Sequence, residues 1–223
     1  MPTYEQLGFG QGAALTGDRA RAVFGEVMGL VAFALGFAAL GAYVARNMTG
    51  TPWIIFFIGA FACVFALNAA SARGHEQLAI GLLFGMALLL GMAISQVIVY
   101  YVKTNPGAVY QAAGSTALFV GILGTFGYSR RQDLSQFYKF VFIAFGVVFL
   151  FGLIALFVAI PGSNVVYCAA MLVVFGGFTI LDFNRLSHKN YNSPVPIAAS
   201  IFLDIFNVFL LLLSLFGGGG SRR

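Results

Sequence analysis

An aspartate lies inside the last apolar segment of the chain, residues 196–216. At about 1.5 Å of helix rise per residue, Asp204 lies roughly 12 Å from the start of this segment, well inside a hydrocarbon layer about 30 Å thick. A charged side chain at that depth is costly, and it usually has a function or a paired partner. The polar residues of the segment share one helix face, which we expect to contact protein or water rather than lipid. These polar residues are Ser200, Asp204, Asn207 and Ser214.

A second aspartate, Asp182, lies at the end of the preceding apolar segment, residues 165–183. The short connection between the two segments predicts antiparallel neighbouring helices, with both carboxyls in the same half of the membrane. If the sixth helix continues through residues 184–186, Asp182 lies deeper than the end of the apolar segment suggests. The alternative is that Asp182 is an interfacial charge paired with Arg185, one helical turn later.

Two neighbouring carboxyls in a membrane would form a site that senses pH. In a low dielectric they cannot both ionise at low cost, so we expect them to share a proton and titrate as a unit near physiological pH. An ionised pair would also attract a hard cation such as Ca²⁺, which prefers about 6–8 oxygen ligands. Asp182, Asp204 and Asn207 supply too few oxygens without water. We therefore predict a weak, transient Ca²⁺ site on an ion path, with Asn207 and Ser200 as supporting polar residues.

Arg73 ends the second apolar segment on the same predicted side of the membrane. It could neutralise one aspartate and act as a latch that breaks when that aspartate is protonated. The alternative is that Arg73 is one of the basic residues that set the orientation of the protein. Glu26, about one turn into the first segment, either extends toward nearby arginines or adds a third acid to this half.

An enzymatic function finds little support. Neither histidine has a metal-ligand partner at a usual spacing, and no Ser/His/Asp set or phosphate-binding glycine loop is recognisable. Intramembrane aspartyl proteases also use two membrane aspartates, but they resemble a Gly-x-Gly-Asp pattern, whereas Asp204 follows Ile-Phe-Leu. We predict a protein that is not an enzyme and that binds no cofactor.

The composition is that of an integral membrane protein. The chain is 60% hydrophobic and 9% charged, against about 45–50% and about 25% in soluble domains. Its apolar segments are continuous for about 20 residues or more, which predicts helices rather than the shorter alternating strands of a β-barrel. We predict an all-α bundle of seven spans, residues 22–216, between a polar cytoplasmic tail (1–21) and a Gly-rich C-terminal tail (217–223). The predicted spans are 22–45, 53–72, 78–101, 109–128, 137–160, 165–183 and 196–216.

The basic residues favour an N-terminus in the cytoplasm. With this orientation, eight of the twelve Lys and Arg residues lie on the cytoplasmic side and four on the other side. No helix face combines clustered basic residues with aromatic ones, so nucleic acid is not a predicted partner. The predicted partners are the lipid bilayer, Ca²⁺ and protons.

Two stretches around the aspartates resemble a known family. Leu-Asp-Phe-Asn-Arg at residues 181–185 and Phe-Leu-Asp-Ile-Phe-Asn-Val-Phe-Leu-Leu at residues 202–211 look like the signature of the Bax inhibitor-1 family, including its bacterial branch. The resemblance covers seven spans in matching order and implies a seventh helix surrounded by the other six. It implies a pH-sensitive Ca²⁺ leak in a bacterial plasma membrane, controlled by Asp182 and Asp204. It also places Arg73 where the family has an arginine that can pair with the first aspartate.

Two other functions stay open from the sequence. Some bacterial relatives of this family modulate a membrane-bound quality-control protease, and the chain could do so without transporting ions. It could also be a scaffold in which the aspartates are structural, so that Asp204→Asn would mainly alter stability.

Overall fold

The computed structural model describes residues 17–48, 53–158, 162–188 and 193–218, and it consists of seven long α-helices. All seven are long and apolar enough to cross a membrane, which confirms the predicted all-α fold with seven spans. Two short 3₁₀ turns, Ala45–Asn47 and Ser135–Phe137, follow α1 and precede α5. The helices are α1 (Gly17–Val44), α2 (Trp53–Ala72), α3 (Glu76–Thr104), α4 (Pro106–Ser129), α5 (Tyr138–Phe157), α6 (Ser163–His188) and α7 (Val195–Gly218).

The helix ends refine the predicted boundaries. Helix α1 begins at Gly17, within the predicted N-terminal tail, and α7 continues to Gly218. Residues 1–16 and 219–223, which make up most of the two predicted tails, lie outside the described residues. Helix α6 continues past the end of its apolar segment to His188. Asp182 therefore lies inside a helix, as the deeper of the two predicted placements requires.

Local sequence explains two of the helix connections. Helices α2 and α3 are joined by a tight turn in which Gly74 has a φ of 77°, a left-handed conformation that glycine adopts without steric cost. Helix α4 starts with Pro106 directly after Asn105, whose side-chain oxygen accepts a hydrogen bond from the Ala108 N–H at 3.3 Å. Proline in the first turn and asparagine at the N-cap are both favoured there.

The helices pack as two groups with α7 between them. Helix α3 packs against α1 and α2, while α4 packs against α6, and α5 packs on α6 at the edge of the bundle. Helix α7 contacts α1, α2, α3, α4 and α6, and half of its apolar span is buried, whereas none of the α5 span is. The central position of α7 stays a prediction, which these contacts support.

Close helix contacts depend on small residues. A Cβ added to Gly41 of α1 would overlap the Leu88 carbonyl of α3, and one added to Gly91 of α3 would overlap the Ala38 carbonyl of α1. Lipid tails are as apolar as leucine, so helices in a membrane gain stability from such close van der Waals packing rather than from removal of water. The two glycines thus allow the backbones of α1 and α3 to approach closely where residues 38–41 cross residues 88–91.

Candidate functional site

The structure brings the two predicted aspartates together inside the bundle. Asp182 of α6 is 2% exposed and Asp204 of α7 is 5% exposed. Each lies close enough to act on the other electrostatically. Acidic side chains are almost never this buried unless they are paired or functional.

Asp182 has hydrogen-bonding neighbours on two other helices. The hydroxyl of Tyr138, the first residue of α5, donates a hydrogen bond to the Asp182 Oδ1. The Ser200 hydroxyl of α7 also lies beside this carboxyl, although its single hydrogen can instead bind the Ile197 carbonyl at 3.1 Å. The guanidinium of Arg185, one turn further along α6, is the nearby positive charge. Asp182 therefore joins α5, α6 and α7.

The carboxyl group of Asp204 has fewer hydrogen-bond partners than that of Asp182. Its Oδ2 is buried and has no hydrogen-bond partner among the residues that the structure describes. The Thr179 hydroxyl of α6 is a neighbour, but it donates to the Phe175 carbonyl of its own helix at 2.8 Å. A buried polar atom without a partner costs free energy, so native proteins keep few of them. Asp204 thus has an oxygen that can receive a proton or a cation without breaking a hydrogen bond.

The structure shows no contact between the two aspartates and the remaining predicted site residues among the hydrogen bonds that it describes. Asn207 is half-buried, and its amide donates to the Leu203 carbonyl of its own helix at 2.7 Å. Arg73 is exposed at the end of α2, and the described contacts of Asp182 do not include it. The latch role of Arg73 therefore stays a prediction. Glu26 is exposed on α1.

Asn184 connects α6, the helix that carries Asp182, to the loop between α4 and α5. It is 1% exposed, and its side-chain oxygen accepts a hydrogen bond from the Leu134 N–H at 2.8 Å. Its amide nitrogen lies within hydrogen-bond distance of three loop carbonyls, those of Gly127 at 3.2 Å, Arg130 at 3.3 Å and Gln132 at 3.0 Å. One buried side chain thus holds the loop that leads directly to Tyr138.

A histidine extends this attachment at the end of α6. The His188 Nε2 lies 2.8 Å from the Arg131 carbonyl, and its Nδ1 lies 3.0 Å from the Asn184 carbonyl. The α4–α5 loop is therefore held to α6 by two side chains, one turn apart. Neither Asn184 nor Tyr138 was predicted as a site residue. Asn184 could have been found as the asparagine of the 181–185 motif, whereas nothing near Tyr138 in the sequence marks it.

Within the described parts of the chain, no three His, Cys, Asp or Glu side chains gather where they could hold a metal ion. The two carboxyls are the acidic groups that meet in the bundle. The predicted weak binding of Ca²⁺ by Asp182 and Asp204 concerns an ion in transit, and it stays a prediction.

Comparison with known proteins adds an independent observation. A model of the family described as inhibitor of apoptosis-promoting Bax1 matches residues 20–221. A protein of Helicobacter pylori is 31% identical over 186 residues, which cover 81% of this chain and 77% of that protein. A protein of Chlamydia muridarum is 25% identical over 204 residues, covering 85% of this chain and 84% of its own length. A protein of Streptococcus pyogenes, named as a membrane protein, is 25% identical over 213 residues, covering 87% of this chain and 91% of its own length.

Proposed function

The chain belongs to the Bax inhibitor-1 family, and on this basis we propose that it is a pH-sensitive Ca²⁺ leak channel gated by protonation of Asp182 and Asp204. The observation that carries the proposal is the meeting of two buried carboxyls between α6 and α7, with the Asp204 Oδ2 lacking a hydrogen-bond partner among the described residues. A bilayer-spanning scaffold has no need of two adjacent acids, because apolar side chains would pack there at lower cost.

The proposed gate is a change in the charge of the pair. When the two carboxyls share one proton, a single negative charge lies between α6 and α7, and no further counter-charge is needed. Loss of that proton places two negative charges in a low dielectric, which is costly unless a cationic side chain or a bound cation neutralises the added charge. The same two aspartates would thus sense pH and bind the passing ion.

Arg73 is the proposed counter-charge for the ionised pair. It lies at the end of α2, on the side of the bundle at which α6 ends and α7 begins. In the ionised state an arginine that paired with Asp182 would hold the bundle closed, and protonation would release it. Arg185 already lies beside Asp182, so both arginines need to be tested.

The test is Ca²⁺ flux into liposomes that contain the purified protein, measured from acidic to alkaline pH. We expect pH-dependent flux in the wild type and loss of most of that pH dependence in Asp182→Asn and Asp204→Asn. We also expect a shifted midpoint in Arg73→Gln, with Arg185→Gln measured beside it. Glu26→Gln, which alters an exposed acid of α1, is the matched control and should retain the wild-type profile. Size-exclusion and thermal-unfolding profiles show which variants are folded.

Folded protein without Ca²⁺ flux at any pH would contradict the channel proposal. A flux with an unchanged pH profile in both aspartate variants would contradict the gate alone. The first result would favour the alternative proposal, a membrane-embedded modulator of a quality-control protease, which predicts a co-purifying protease whose activity changes when this protein is absent.

A further inference from the structure

A long groove lies between α1 and α4, apart from the aspartate pair. Its volume is about 1280 Å³. The backbones of α1 and α4 stay apart in the described residues, and the rings of Phe24 and Tyr128 meet between them near the Arg21 end, with centroids 5.2 Å apart. Its floor is formed by α3 and α7, with Ile94, Phe206 and Phe209 among the floor residues, and by Phe183 of α6.

The groove is longer than one membrane leaflet is thick, and its lining is apolar like the interior of the leaflet. Its lining on α1 and the 3₁₀ turn that follows extends from Arg21 to Asn47, roughly 39 Å at about 1.5 Å per residue. The lining between these ends is almost entirely apolar, and several of its residues, such as Leu35 and Gly121, are exposed. The groove is therefore open to the surrounding lipid along its side.

The charged residues of the groove lie at its ends. Arg46, Asn47 and Lys103 line the end at which α1 and α3 finish, and Arg21 lines the opposite end. The Arg46 guanidinium is held over the Tyr43 ring, 3.5 Å from its centroid. No aspartate or glutamate is among the described residues that line the groove. Two cations and an amide at one end of an apolar groove match a phosphate group attached to acyl chains.

We propose that this groove binds an anionic membrane phospholipid, with its phosphate at Arg46 and Lys103 and its acyl chains between α1 and α4. The proposal does not depend on the channel function, because Asp182 and Asp204 do not line the groove. A zwitterionic lipid offers the same chains, but its positive head group would oppose the two cations. The cations therefore select the head group, and the apolar lining holds the chains.

The test compares the binding of phosphatidylglycerol and phosphatidylcholine with identical chains to the detergent-purified protein, by native mass spectrometry. We expect tighter binding of phosphatidylglycerol. Each cation near an anionic lipid increases the binding constant by a factor of about five. The double variant Arg46→Gln with Lys103→Gln should therefore remove this preference. Arg130→Gln with Lys139→Gln alters two exposed cations that do not line the groove, and this control should retain it.

A second pair of variants tests the place of the acyl chains. A Cβ added to Gly121 or to Gly114, both on α4, would have no atom within 4 Å, so leucine at either position should fold. Gly121 lines the groove and Gly114 does not. Gly121→Leu should therefore weaken the binding of both lipids, whereas Gly114→Leu should not.

Three results would overturn the proposal. These are equal binding of the two lipids by the wild type, a preference that survives in the double variant of Arg46 and Lys103, and equal effects of leucine at Gly121 and Gly114. A dimer that Gly121→Leu prevents would also overturn it, because the groove would then be occupied by a second copy of the chain.

Discussion

At the scale of single residues, the site depends on two polar side chains besides the aspartates. The Tyr138 hydroxyl donates to Asp182, and Asn184 binds the loop that precedes Tyr138. A hydrogen bond to a charged group is typically stronger than one between neutral groups, and a partner left unpaired in a buried site costs more than the bond itself contributes. The two side chains should therefore affect stability and gating in different ways.

Tyr138→Phe tests the contact with Asp182. The variant keeps the ring but removes the hydroxyl, so we expect a loss of about 1–3 kcal/mol in the free energy of unfolding. We also expect a shifted pH midpoint of Ca²⁺ flux, because Asp182 loses a donor. Thermal unfolding in detergent and liposome flux measure the two effects. Tyr110→Phe, at a residue that is 77% exposed, should change neither.

Asn184→Ala tests the attachment of the α4–α5 loop. Without the amide, the Leu134 N–H and the loop carbonyls lose their partner on α6. We expect faster tryptic cleavage after Arg130 or Arg131 and a lower unfolding temperature. Asn68→Ala is the control, because the Asn68 amide binds only the Val64 carbonyl of its own helix among the described residues. Equal cleavage rates in the two variants would contradict the proposed attachment.

At the scale of helices, the geometry of the site follows from how closely α4, α5 and α6 pack. Helix α5 contacts α6 but not α7 in the described part of the chain, and none of its span is buried. Its first residue nevertheless supplies the hydroxyl that reaches Asp182. A peripheral helix with few packing contacts can move at low cost, so α5 is the element whose displacement would most readily change the surroundings of Asp182.

Gly127→Ala tests the spacing of α4 and α6. A Cβ at residue 127 would overlap the Ile180 carbonyl, and a backbone atom cannot yield without moving its helix. We expect a loss of about 1–3 kcal/mol in unfolding free energy, measured by thermal unfolding in detergent. Gly114→Ala, on the same helix with open space around it, should be neutral or slightly stabilising, because alanine favours a helix over glycine.

At the scale of the whole molecule, seven spans place the start of α1 and the end of α7 on opposite sides of the membrane. The α2–α3 turn, the α4–α5 loop and the end of α6 then share one side, which carries Arg73, Arg130 and Arg185. The positive-inside rule predicts that this side is cytoplasmic. The aspartate pair would consequently respond to cytoplasmic pH.

Cysteine labelling in intact cells tests this orientation. After replacement of Cys63 and Cys168 by alanine, Gln132→Cys should be protected from a membrane-impermeant maleimide until the cells are opened. Thr104→Cys, an exposed position at the opposite end of the bundle, should react at once. The reverse pattern would place the pair nearer the outer surface and make external pH the relevant signal.

The sequence by itself determined the class, the seven spans and the two acids. Hydropathy and helix rise are properties of single segments, so the burial of Asp204 in a membrane span follows from its position within an apolar helix. The short connection between their segments predicts Asp182 and Asp204 on neighbouring helices, and in the structure the two acids are close enough to interact electrostatically. The sequence leaves open whether α6 continues through residues 184–186, because a polar end to an apolar segment does not stop a helix, and the structure extends it to His188.

The tertiary structure alone decided which groups surround the acids and where the bundle stays open. Tyr138 and Asp182 are 44 residues apart, and Leu134 and Asn184 are 50 apart. Contacts at such separations depend on how whole helices pack, which no local pattern records. The groove between α1 and α4 likewise exists because α3 and α7 hold these helices apart. Arg73 illustrates the same limit of sequence reasoning. Its position in the sequence suggests a partner for Asp182, but in the structure its side chain is exposed at the end of α2.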